Sequence, residues 1–118
     1  MIVQVTCFIE YKIDAFKLQQ FNQYAKNWGQ IIPRCGGELV GYFLPYEGSN
    51  NQAYGIISFD SLASYEAYRK RLKEDKQAQE NFKFAQTERF ILDETRRFLN
   101  PVESTYWQQA FDITTEAV

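Results

Sequence analysis

The sequence predicts an α+β fold in which a four-stranded antiparallel sheet carries its helices on one face. Three observations predict it. Residues 2–11 alternate with period two, the signature of a half-buried strand. Two short apolar runs, Leu39–Leu44 and Ala53–Phe59, flank a polar stretch containing Gly48, Asn50 and Asn51, which reads as strand, loop and strand. On either side of this hairpin lies one extended run and one run of helical period. The element order is therefore β-α-β-β-α-β.

In the first strand Val3, Val5, Cys7, Ile9 and Tyr11 form a wholly apolar face, while Ile2, Gln4, Thr6, Phe8 and Glu10 form a mixed one. Asp14 is the expected N-cap of the first helix. Leu18, Phe21, Ala25, Trp28 and Ile32 recur at steps of three and four and share a face. Gly29 and Pro33 place the end of this helix near Ile31.

The hairpin strands are apolar on both faces. Strict alternation puts Leu39, Gly41 and Phe43 on one side and Val40, Tyr42 and Leu44 on the other. Gly41 and Gly55 leave gaps in the sheet surface where a bulge, a bulky neighbour or a ligand can approach. Asp60-Ser61 is a capping pair for a helix whose stripe runs through Leu62, Tyr65, Tyr68 or Arg69, and Leu72. Asp75 caps a further helical stretch through Ala78, Phe82 and Ala85, so the second helix is split. Phe90–Leu99 is extended, with Ile91, Thr95 and Leu99 on one side and Leu92 and Phe98 on the other. Residues 102–118 hold Tyr106, Trp107 and Phe111, too aromatic for a free tail, and are expected to dock as a C-terminal extension of a single domain spanning 1–118. This order is the ferredoxin-like plan.

Composition narrows the function. The 118 residues are 45% hydrophobic and 17% aromatic, enough for a packed core in one domain. A net charge of −2 gives no electrostatic footprint for nucleic acid. The basic cluster Arg69, Lys70, Arg71, Lys73 is interleaved with Glu66, Glu74 and Asp75 and reads as a solvated helix face. No apolar run approaches the ~20 residues of a membrane span, and no secretory signal pattern precedes Gln4, Thr6 and Glu10, so the expected location is the cytoplasm. Cys7 falls within the apolar alternation and Cys35 in a turn, a spacing that offers neither a zinc site nor a disulfide framework. The chain has no histidine. That removes Ser-His-Asp and Cys-His activation and the usual imidazole metal ligand, and leaves no metal or cofactor to expect from the residues.

Two groups of residues are candidates for chemistry. Tyr42 and Tyr54, with Arg34 nearby in sequence, can line a pocket and orient an anionic or phenolic ligand, or serve simply as core and interface aromatics. Trp28 fits the core stripe and can also stack on a ligand between helix and sheet. Asp93, Glu94, Arg96 and Arg97 on the last strand can place one carboxylate and one guanidinium near a cavity, or form surface ion pairs.

Read together, Gly37-Glu38-Leu39-Val40-Gly41-Tyr42-Phe43, Gly48, Asn51 and Gln52, then Phe59-Asp60-Ser61-Leu62, Tyr65, Tyr68-Arg69, Leu72 and Asp75 resemble the NIPSNAP family, a branch of the dimeric α+β-barrel superfamily. The resemblance covers about residues 1–101. It implies a homodimer whose sheets pack face to face. Many members carry His and Trp at the positions of Gly55 and Ile57, so activities resting on those side chains do not carry over. The wider superfamily includes cofactor-free monooxygenases, haem-degrading enzymes and small-molecule hydratases or lyases. Its haem degraders hold iron through a histidine, which this chain lacks. Three readings follow: a dimeric protein binding a small apolar or aromatic molecule between sheet and helices, a cofactor-independent monooxygenase-type enzyme, and an interaction module without a small ligand.

Overall fold

A computed structural model describes residues 2–106. Its elements are β1 (Val5–Ile13), a 3-10 turn (Ala15–Lys17), α1 (Leu18–Arg34), β2 (Glu38–Phe43), β3 (Gln52–Phe59), α2 (Leu62–Glu74), α3 (Lys76–Glu88) and β4 (Ile91–Leu99). The sheet order is β2-β3-β1-β4 and every pairing is antiparallel. This is the ferredoxin-like arrangement that the alternation and the hairpin predict.

Residues facing each other across an antiparallel pair share a side of the sheet. Cys7, Ile9 and Tyr11 of β1 oppose Ile57, Gly55 and Ala53 of β3 and Phe98, Arg96 and Glu94 of β4. That side meets the helices. There Phe21, Tyr24, Trp28, Ile31 and Ile32 of α1, Tyr68 and Leu72 of α2, and Ala78 of α3 join Tyr11, Ile57, Phe59 and Phe90 in one core. The open side carries Thr6, Phe8, Glu10 and Lys12 of β1 beside Tyr54, Ile56 and Ser58 of β3.

Several local features depart from simple periodicity. A register shift between Leu39 and Gly41 leaves Val40 as the extra residue of a bulge. Leu39 and Tyr42 consequently both face the helices, opposite Ile57 and Gly55, whereas strict alternation had separated Leu39 and placed Val40 with Tyr42. A second irregularity at Lys12/Ile13 sets Ile91 against Ile13, on the helix side, while Thr95 and Leu99 lie on the open side opposite Glu10 and Thr6.

Helix α1 runs through Pro33 to Arg34 rather than ending near Ile31. Proline removes one backbone donor, but Ile31 and Ile32 are fully buried and the end is closed in register. Gly36 takes φ +101°, its N–H donates to Pro33 and that of Gly37 to Ile32 (3.2 and 3.0 Å). This is a Schellman cap, which needs a left-handed residue where Gly36 stands.

The caps read from sequence are in place. Asp14 accepts from the Phe16 amide at 2.9 Å, opening the 3-10 turn rather than α1 itself. Ser61 accepts from the Ser64 amide at 3.1 Å and Asp75 from the Ala78 amide at 2.9 Å, splitting α2 from α3. A buried amide ties α1 to α3: Asn81 donates to the Tyr24 carbonyl at 3.1 Å and accepts from Asn27 at 2.9 Å.

After β4 the chain turns back over the open side of the sheet. The Tyr106 hydroxyl donates to Ser58 at 2.9 Å, and Ser58 is itself within 3.0 Å of the Thr6 hydroxyl. Ser58 is thereby fully buried although it lies on the side away from the helices. Trp107 and Phe111, the other aromatics of the C-terminal extension, lie outside the described residues.

Candidate functional site

Tyrosine, tryptophan and arginine side chains from five elements converge between the sheet and the helices. They border a narrow, partly open cavity of about 20 Å³, lined by Ile9, Tyr11, Tyr24, Trp28, Tyr42, Ile57, Tyr68, Arg69, Leu72, Phe82 and Arg96. The space is drawn out between the side chains and holds about one or two waters as it stands.

The period-two face of β1 supplies Ile9 and Tyr11, and the one-turn spacing of α1 supplies Tyr24 and Trp28. Trp28 stands edge-on to Tyr24, with ring centroids 5.6 Å apart and planes at 87°. Its indole N–H lies close enough to Tyr24 to favour the ionised hydroxyl, yet Nε1 is buried and has no hydrogen-bond partner. An unpaired buried donor is costly and uncommon. Burial pushes Tyr24 up to about 12, against the pull of the Trp28 indole.

Tyr42 arrives through the Val40 bulge. Its hydroxyl is 3.3 Å from that of Tyr11, and its ring lies over Gly55, where a Cβ would come within 2.7 Å of it. The gap at Gly55 is thus filled by a bulky neighbour, one of the occupants the sequence allowed. Tyr42 also borders an outer groove with Asn22, Ala25, Lys26, Leu39, Phe43 and Leu44, so one ring divides the cavity from the groove along α1. Burial holds Tyr11 and Tyr42 well above the usual tyrosine range. At neutral pH these groups offer hydroxyls, not phenolates.

The far end is basic. Arg96 bonds the Glu94 carboxylate at 3.0 Å and the Tyr65 hydroxyl at 3.4 Å. Burial alone pulls its pKa down, but Glu94 and Tyr65 outweigh that and hold it above the ordinary value. Burial also raises Tyr68, which Arg96 and Arg69 partly offset.

Of the four residues singled out by sequence, the structure brings Trp28 and Tyr42 to the cavity and takes the other two elsewhere. Tyr54 sits on the open side of the sheet, its ring centroid 5.4 Å from that of Phe8, because it is one residue out of phase with Gly55. Arg34 leaves for the end of α1, where its guanidinium grips Asp75 at 2.8 Å and reaches Gln77 at 3.2 Å. Sequence reasoning missed Tyr11 and Tyr68, read as face and stripe aromatics, and Tyr24, which the α1 stripe does not include; Arg69 stands there both as an alternative to Tyr68 in the stripe and as part of a solvated basic face. In that cluster Arg69 reaches the cavity and Arg71 donates to the Cys35 carbonyl at 3.2 Å, while Lys70 and Lys73 are exposed. Of the charged quartet on β4, Arg97 pairs with Glu10 at 3.2 Å and only the Glu94–Arg96 pair belongs to the site.

Among the described residues no three His, Cys, Asp or Glu side chains are grouped to hold a metal ion, and no helix is long and apolar enough to cross a membrane. Both cysteines are buried and free.

The four-stranded sheet with one layer of helices and an aromatic cavity between them defines a ferredoxin-like α+β protein. The NIPSNAP family profile matches residues 6–105, and the chain belongs to that family. A NIPSNAP family protein of unknown function from Agrobacterium tumefaciens is similar over 84% of this chain and 88% of its own, with TM-score 0.72 and 22% identity. An uncharacterized NIPSNAP-like domain protein from Burkholderia xenovorans aligns over 87% and 89%, with TM-score 0.71 and 20% identity. A Nitrosomonas europaea protein, named only provisionally as an antibiotic biosynthesis monooxygenase, aligns over 83% and 98%, with TM-score 0.65 and 9% identity. At these identities the solved structures speak for the fold alone. A search of curated proteins finds no match.

Proposed function

We propose that the protein binds a small apolar or aromatic molecule between the sheet and α1–α3, as a cytoplasmic homodimer. The observation that carries this reading is the meeting of Tyr11, Tyr24, Tyr42 and Tyr68 with Trp28 around one cleft between sheet and helices, where the buried Trp28 N–H turns to Tyr24 without a full hydrogen bond. Ligand sites are typically apolar hollows with a few convergent polar groups. A ligand acceptor on Nε1 relieves the orphaned donor. Because the unfilled space is narrow, entry requires a wall to move, and Tyr42 is the wall shared with the outer groove.

The homodimer rests on the open side of the sheet. Phe8, Tyr54 and Ile56 lie there, together with Phe43 and Leu99, which are 49% and 48% exposed. A second copy covers this apolar side through a two-fold axis. A stable contact of that kind buries more than about 1,000 Å². The two free cysteines suit a reducing cytoplasm.

The neighbour named as a monooxygenase, together with Tyr68 beside two arginines at the cavity, supports a second reading as a cofactor-independent enzyme of that kind. Native mass spectrometry of freshly purified protein tests the first reading. Dimers should carry a co-purified organic molecule that Trp28→Phe, which keeps the ring and removes the N–H, retains less well. Ligand-free dimers from several lysates, with no small aromatic molecule taken up, would count against it.

A further inference from the structure

The basic end of the cavity deepens the ligand reading and rests on it. Two arginines border the cavity, Arg69 and Arg96. Arg96 is matched by Glu94 at 3.0 Å. Arg69 is half-buried, and among the described residues it has no ion-pair partner: the carboxylate pairs there join Arg34 to Asp75, Arg96 to Glu94 and Arg97 to Glu10. Two positive charges against one negative charge leave the site one charge short of neutrality.

This imbalance is felt inside the cavity wall. Arg96 and Arg69 both favour the ionised forms of Tyr68 and Cys7. Glu94 acts in the opposite sense at Tyr11, Tyr24 and Tyr42. The site is therefore polarised, with an uncompensated cation at the α2 side and neutral hydroxyls and the Trp28 N–H elsewhere.

A guanidinium in a partly dry, aromatic-walled space is the side chain best suited to a carboxylate, which it meets through two parallel N–H···O bonds. We propose that the ligand is an organic monoanion, a small aromatic or apolar body bearing one carboxylate, with the carboxylate on Arg69 and the body among Trp28, Tyr24 and Tyr42. The Arg96–Glu94 pair, already neutral, positions Tyr65 and shapes that end without supplying the binding charge.

Phenylacetate and its neutral isostere phenylacetamide test this, titrated into the full chain and followed through the Trp28 indole N–H resonance and by calorimetry. Phenylacetate should bind at least tenfold more tightly than the amide, and added salt should weaken only the acid. Arg69→Gln should abolish that preference by weakening the acid far more than the amide, while Arg69→Lys should restore part of it. Should Arg69→Gln not fold, the acid–amide ratio and its salt dependence in the unmodified protein still decide the matter. Equal binding of acid and amide, both shifting Trp28, would overturn the charge assignment and leave the ligand reading standing. If neither compound shifts Trp28, the ligand reading fails and the assignment fails with it.

Discussion

Adding one methyl group at Gly55 should unseat Tyr42. Gly55 has an ordinary strand backbone, outside the positive-φ glycines of the chain, so alanine brings no conformational strain. Its Cβ would, however, lie 2.7, 3.0 and 3.2 Å from three carbons of the Tyr42 ring. Carbon pairs rest at about 3.5–4.0 Å, so the ring must retreat by roughly 1 Å. That movement breaks the Tyr11–Tyr42 hydroxyl contact at 3.3 Å and pulls on the bulge that delivers Tyr42. Overpacking of this kind costs about 1–3 kcal/mol, and removing a strand glycine returns about 0.5–1 kcal/mol. The expected net loss lies between about 0 and 2.5 kcal/mol and centres near 1, read from urea unfolding at unchanged m-value. Gly55→Ala and Tyr42→Ala should also couple, the double variant losing less than the sum by more than about 0.5 kcal/mol. A Gly55→Ala protein as stable as the parent, with Tyr42 unmoved in its crystal structure, would refute this packing argument.

Other outcomes follow from the two sides of the sheet and from the helix caps. Ile57 is buried on the helix side and Ile56 lies on the open side; Ile57→Lys should cost about 3–5 kcal/mol through an uncompensated buried charge, whereas Ile56→Lys should stay folded and self-associate less by light scattering. In the same measurement the unmodified protein at micromolar concentration should run well above the 13.9 kDa of one chain. The Ala78 amide and the Arg34 guanidinium hold Asp75 below its usual range, and Ser64 and Ser61 do the same for Asp60. For a carboxylate with a depressed folded pKa, the stabilisation is present above the unfolded value near pH 4 and is lost as pH falls through the folded one. Thermal melts should therefore drop below about pH 4, and Asp75→Asn should flatten that drop while lowering stability at neutral pH.

Much of the scaffold was legible because its signals are local. Period two marks β1, the Asn-rich loop marks the hairpin, and Ser61 and Asp75 cap the helices they precede. The site was half legible. Trp28 and Tyr42 belong to patterns that face the core, and both reach the cavity. Tyr54 and Arg34 lie away from the cavity for different reasons. Whether Tyr54 faces the helices depends on pairing register, and β3 is apolar on both sides, so its own sequence does not choose. Arg34 pairs with Asp75, an acidic cap 41 residues away that only the tertiary fold brings within 2.8 Å. The Val40 bulge, which turns Leu39 and Tyr42 to the same side, leaves no periodic mark in six residues. Arg69 was hidden by its neighbours, because a basic run looks solvated until one member is seen to turn inward.

The central claim is that a small aromatic molecule occupies the space between sheet and helices. Crystals soaked with a library of aromatic fragments test it most directly. Density against the Trp28 indole N–H, with the Tyr42 ring swung toward the outer groove, is the predicted result. Fragments found only on outer surfaces, with Trp28 and Tyr42 unmoved and the cavity unfilled in every data set, would contradict it.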